Sequence, residues 1–154
     1  MHILGPDALE WMGTTYRILL GAADTGGKVA IFESVTPSGE GPPLHKHGDA
    51  DEAFVVLSGD VEFWVDGTRT TCGPGQAAFV ARGREHSFRV CSENPARMFT
   101  MLSPGGLEEF FREMAVAGYR LPQDMGRVLP IAGKFHLEFT GPPLSGMKTE
   151  AIGG

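Results

Sequence analysis

Residues 45–90 read HKHGDADEAFVVLSGDVEFWVDGTRTTCGPGQAAFVARGREHSFRV, and their punctuation decides the fold. Ala53–Leu57 stops at Ser58-Gly59-Asp60, Val61–Val65 at Asp66-Gly67, and Thr68–Cys72 at Gly73-Pro74-Gly75. Ala77–Ala81 then stops at Arg82-Gly83, and His86–Cys91 at Ser92–Pro95. Asp66-Gly67 between two alternating runs is the strongest hairpin signal, because a type I′ turn needs φ > 0 at both positions. Outward from this stretch, Arg97–Leu102 ends at Pro104, while Tyr16–Leu20 and Lys28–Thr36 flank the turn-rich Asp24–Gly27. Pro37–Leu44 is an irregular connection whose prolines forbid a helix. Short strands at this spacing predict a sandwich or barrel, not βαβ units.

The composition agrees. Twenty-two glycines and 11 prolines in 154 residues are well above the usual share of about 12%. Disorder is excluded by Leu, Ile, Val and Phe, which make about 24% of the chain, above the ~20% below which chains tend to stay unfolded. The glycines and prolines therefore belong to turns, and the length suits one domain. A net charge of −6 with no Lys/Arg run leaves no footprint for a phosphate backbone, so no nucleic acid partner is expected. The longest apolar runs are far short of a membrane span, so no membrane partner is expected either. The N-terminus lacks the basic and apolar regions of a signal peptide. Cys72 and Cys91 form no disulfide framework or Cys-x-x-Cys pair, which fits a reducing compartment and predicts a cytoplasmic protein.

After residue 104 the period changes. Leu107, Phe110, Phe111 and Met114 fall at i, i+3, i+4, i+7, with Glu108 and Glu109 in the first turn and Gly118 past the end. This predicts an amphipathic helix over Gly106–Ala117, docked on the barrel by its apolar stripe. Asp124–Ala132 predicts a short helix interrupted at Pro130, Phe135–Phe139 a short strand, and Pro142-Pro143 the end of regular structure. The expected division is thus a barrel over 1–104 with a helix and irregular tail over 105–154, packed as one domain.

Three of the five histidines fall in two windows: Gly39-x5-His45-x-His47-x4-Glu52-x6-Gly59 and Gly75-x5-Ala81-x-Gly83-x2-His86. In an extended segment His45 and His47 project to the same face. Two imidazoles beside a carboxylate are donors of the kind first-row transition metals take. A wet edge strand would account for one such histidine, but not for the pair, the acids and the distant His86 together. Asp49, Asp51 and Glu52 all lie within reach as the acidic donor.

Other candidates carry less. Gly73-Pro74-Gly75-Gln76-Ala77-Ala78 fits a dinucleotide fingerprint in form, but it lies between strands with no helix to receive a pyrophosphate. His136 alternates with Phe135, Leu137 and Phe139 and is expected to face water; His2 gets no role. Cys72 and Cys91 read as packing residues, and Arg82 and Arg84 as exposed loop charges flanking the turn before His86.

The two windows resemble the two motifs of the cupin superfamily, G-x5-H-x-H-x3,4-E-x6-G and G-x5-P-x-G-x2-H-x3-N. The first matches throughout; the second has Ala81 for the proline and Val90 for the asparagine, neither a ligand position in the family. The segments PGGLEEFFREM (Pro104–Met114) and FTGPPL (Phe139–Leu144) are similar to small single-domain bacterial cupins described as quercetinase-like. The resemblance implies an all-β double-stranded β-helix, a jelly-roll barrel enclosing a cavity. It selects Glu52, with six residues between it and Gly59, over Asp49 and Asp51. It also implies one divalent transition metal per chain (Fe, Ni, Cu, Mn or Zn) on His45, His47, Glu52 and His86, and a homodimer. Strand parity then points Phe54 and Val56, on the side of Glu52, and Phe88, on the side of His86, into a substrate pocket. The implied function is a dioxygenase acting on a small aromatic or enolisable anionic substrate, with Glu52 as ligand and general base. A redox-neutral isomerase, cyclase or lyase, or a non-catalytic small-molecule-binding protein, would use the same site.

Overall fold

The structure, a computed structural model, describes residues 4–144; His2 and the last ten residues of the tail lie outside them. Eleven strands and three helices follow one another among the described residues. They are β1 (Leu9–Trp11), β2 (Thr14–Leu20), α1 (Ala22–Thr25), β3 (Ala30–Thr36), β4 (Pro43–His47), β5 (Asp51–Ser58) and β6 (Val61–Val65). There follow β7 (Thr68–Cys72), β8 (Ala77–Val80), β9 (His86–Val90), β10 (Ala96–Ser103), α2 (Glu108–Ala117), α3 (Met125–Lys134) and β11 (Leu137–Pro143). The strands build two antiparallel sheets, in the orders β1-β2-β3-β10-β5-β8 and β11-β4-β9-β6-β7. This is the all-β jelly roll expected of the sequence.

The hairpin at Asp66-Gly67 pairs Val65 with Thr68 and Val61 with Cys72. Asp66 and Gly67 have φ of 45° and 91°, positive at both positions as that turn requires. Phe54, Val56, Val61, Phe63, Cys72, Val80, Val90 and Met98 bury one another between the sheets at one end. Trp11, Phe32, Leu102, Phe110, Met114, Val128 and Leu137 form the core at the other, where the helices close the barrel.

Helix α2 starts two residues later than its periodicity suggests because Gly106, with φ of 139°, is not helical, and Glu108 opens the helix. The Glu108 carboxylate is fully buried and accepts hydrogen bonds from the backbone N–H of Ala22 (2.6 Å) and Gly106 (2.7 Å). Phe110 meets Trp11 edge-on at 5.4 Å between centroids, and Phe111 stacks on Tyr16 at 4.5 Å and 13°.

Two readings of the tail change. Helix α3 runs through Pro130 to Lys134, because Gly126, whose carbonyl loses its partner, faces solvent, where water can satisfy it. Strand β11 extends through Pro142 and Pro143, and pairs with β4 from Leu137↔His47 to Pro143↔Pro43. It is the outer strand of its sheet, where proline's missing N–H costs no ladder bond. The barrel therefore does not end at 104; the tail supplies one of its strands.

Candidate metal centre

The two sheets bring four donors to one point. His45 and His47 share the inner face of β4, and the β4–β9 pairing sets His45 directly opposite His86. Their ring centroids are 5.0 Å (His45–His47) and 4.3 Å (His45–His86) apart. Glu52 reaches in from β5 of the other sheet, where it pairs with Leu102 and Val80. One ligand atom from each of the four lies within 4.8 Å of the others, and all four side chains are buried.

Backbone carbonyls fix the imidazoles. The Nδ1–H of His45 donates to the Pro43 carbonyl (2.7 Å) and that of His86 to the Arg84 carbonyl (2.9 Å). Such bonds orient a ring and leave Nε2 as its donor atom. The Nε2 atoms of His86 and His47 lie 2.9 and 3.2 Å from Oε1 of Glu52. Burial alone would raise the Glu52 carboxyl, but the His47 and His86 rings outweigh it and hold the group well below the usual carboxylate range. Burial, then the neighbouring His86 and His47, pushes His45 well below the ordinary imidazole value. Burial also disfavours the charged form of His86, but its bond to Glu52 prevails and raises it.

The site fits a cation on its own geometry. Nε2 of His47 is buried and, although 3.2 Å from Oε1 of Glu52, makes no well-aligned hydrogen bond among the described residues, which leaves its lone pair free for a cation. Three nitrogens and one carboxylate oxygen can hold a divalent transition ion, and the mixed donors suit several.

The donors open onto a cavity of about 580 Å³. Phe54 and Phe88 line it, 5.9 Å apart between centroids. Val56 is not in its wall: the alternation of β5 does turn it inward, but one register further along it is sealed among Val61, Cys72, Val80 and Met98. Arg82 and Arg84 point away, paired with Asp51 and Asp66. His136 is exposed, 3.8 Å from Asp49. The loop Gly73-Pro74-Gly75 joins β7 to β8 with no helix behind it.

Much of the wall comes from residues outside the motif windows: Trp11, Tyr16, Phe110, Phe111, Leu137 and Phe139. The helical stripe marked Phe110 and Phe111 as packing residues, and they do pack, but they also face the ligand space. Ser34 and Thr100 add two hydroxyls. Nothing in the chemistry of a lone serine or threonine in a strand marks it beforehand.

Comparison with known proteins agrees with this architecture. Residues 32–102 match the family model Cupin_2, a cupin domain. Quercetin 2,3-dioxygenase from Bacillus subtilis (strain 168) is 31% identical over 99 residues, an alignment covering 64% of this chain and 29% of that protein. This chain thus spans less than a third of that relative's length. Among solved structures, KdgF from Halomonas sp. superposes with a TM-score of 0.60 at 16% identity, covering 68% of this chain and 91% of that one. The polyketide cyclase RemF from Streptomyces resistomycificus gives 0.57 at 23% identity, covering 67% and 77%. At such identities the likeness is one of fold. With the motif windows folded into facing sheets and the family model spanning both, this chain carries a cupin domain at residues 32–102.

Proposed function

We propose that the protein is a metal-dependent dioxygenase acting on a small aromatic or enolisable substrate that presents one anionic oxygen. The observation that carries this reading is the juxtaposition of four buried donors with a cavity walled by aromatic rings. A divalent transition metal bound by His45, His47, Glu52 and His86 would supply Lewis acidity and, if redox-active, dioxygen chemistry. Three neutral imidazoles and one carboxylate leave such a centre about +1, which favours an enolate, phenolate or carboxylate oxygen.

The protein's own residues do the rest. Glu52 lies beside the centre and, when detached from the metal, would serve as the base for a substrate hydroxyl. Phe54, Phe88, Phe110 and Phe111 take up a flat apolar body, each Å² removed from water contributing about 25 cal/mol. The 31% identity with a protein named quercetin 2,3-dioxygenase supports a flavonol-like substrate.

Oxygen uptake tests the reading. Metal-loaded protein is expected to bind flavonols, catechols or β-diketones and consume dioxygen, whereas chelator-stripped protein does neither. Metal-dependent binding without uptake would replace the dioxygenase by a redox-neutral isomerase, cyclase or lyase, or by a binding protein. Binding of phosphosugars in place of flat anionic chelators would overturn the reading of the pocket.

A further inference from the structure

The inner face of the six-stranded sheet carries a row of polar side chains across an otherwise apolar wall. In the pairing of β5 with β10, Glu52 faces Leu102 and Phe54 faces Thr100, so Thr100 is the diagonal neighbour of Glu52. In the pairing of β10 with β3, Thr100 faces Phe32 and Met98 faces Ser34, so Ser34 is the diagonal neighbour of Thr100. Tyr16 of β2 then stands directly opposite Ser34. All four line the cavity. Adjacent strands lie about 4.8 Å apart, which sets Thr100 one strand, Ser34 two and Tyr16 three strands away from the metal-side carboxylate.

Ser34 and Thr100 are 3% and 2% exposed, and both line the cavity. A hydroxyl on the wall of a ligand cavity is met either by water or by a polar atom of the ligand that displaces it. Two on one wall of a ligand cavity, in line with the candidate metal centre, point to a ligand atom that completes them. Tyr16 closes the row; its ring is held by stacking on Phe111, and burial raises its phenol, so it remains a donor.

We propose that Thr100 and Ser34, with Tyr16 at the far end, form a second anchoring site. It would select substrates bearing a second oxygen, a hydroxyl or carbonyl, about 7–15 Å from the anionic oxygen held beside Glu52, at about 7–8 Å for each diagonal step. The inference rests on the proposed function and deepens it. The ligand is bifunctional: one oxygen goes to the centre, the apolar body lies against the rings, and the second oxygen meets the hydroxyl row. A pocket built to bond a substrate hydroxyl discriminates against the analogue that lacks it far better than an apolar pocket can.

Calorimetric titration of metal-loaded protein under anaerobic conditions tests this, with 3-hydroxyflavone and 3,4′-dihydroxyflavone as probes. The wild type is expected to prefer the dihydroxy compound roughly five- to tenfold, the worth of a hydrogen bond or two. In Ser34→Ala/Thr100→Val the preference falls to about one. Tyr16→Phe, which keeps the ring stack and leaves folding undisturbed, lowers it partially. A preference that survives in the double variant, or is absent from the wild type, overturns the inference while leaving the dioxygenase reading standing. Metal-independent binding of both probes, or binding of neither, overturns the two together.

Discussion

The cupin domain and the segments that flank it contribute different things to one cavity. Residues 32–102 hold all four donors and the Phe54–Phe88 pair. The chain before and after supplies Trp11, Tyr16, Phe110, Phe111 and Phe139. Donors need fixed geometry, and they sit on paired strands whose register leaves them no freedom, as the His45↔His86 pairing shows. Walls need shape and apolar area, which a helix and an edge strand provide equally well. The donors and most of the aromatic wall are thus carried by different stretches of sequence, which meet where β11 pairs with the donor strand β4 at His47 and His45.

The sharpest way to break this division is to remove a donor. His47→Ala and His86→Ala are each expected to abolish stoichiometric metal content, read by elemental analysis of the purified protein; full occupancy in both would refute the ligand set. Acid should do the same to the wild type. His86 is raised by Glu52, so its proton competes with a metal as pH falls toward and below the ordinary imidazole value of about 6.5. The low-lying Glu52 stays ionised throughout that range. Metal content after dialysis at pH 8 should exceed that at pH 5, and equal content would show that His86 is not a ligand.

A smaller effect probes the flank. Phe110 is fully buried, and Phe110→Ala should cost about 3–5 kcal/mol in urea unfolding while the folded variant keeps its metal. Loss of metal at retained fold would show that wall and donors are not separable.

Smaller again is Glu108→Gln. The amide keeps the shape but cannot accept both backbone bonds with a full charge, so a loss of about 1–3 kcal/mol is expected. Metal content should again hold, and a ligand whose body rests on Phe111 should bind more weakly.

What was legible in the sequence follows the same line. The strands from Val61 to Val90, the Asp66-Gly67 hairpin and the His/Glu windows are local patterns, readable without knowing what pairs with what. Strand β1, with three residues, has no such signal and exists because β2 holds it from Leu9↔Tyr16 to Trp11↔Thr14. The start of strand β11 shows in the sequence, but its continuation to Pro143 is hidden by its prolines, which only its place at the sheet edge excuses. Val56 shows a further limit: alternation tells which side of a strand faces in, but not how far the cavity reaches along it. Ser34 and Thr100 become visible as a row only when β3, β10 and β5 are set in register.

Trp11 gives the cavity an optical consequence. Its indole Nε1–H donates to the Tyr119 carbonyl at 2.8 Å, across 108 residues of chain, and the ring borders the ligand space. The chain has two tryptophans, and the other, Trp64, packs with Leu44 and Leu144 outside that wall. A Trp64→Phe protein would therefore emit from the cavity wall alone. A flavonol, which absorbs where indole emits, would darken that emission on entry, so occupancy could be followed by light before any chemistry begins.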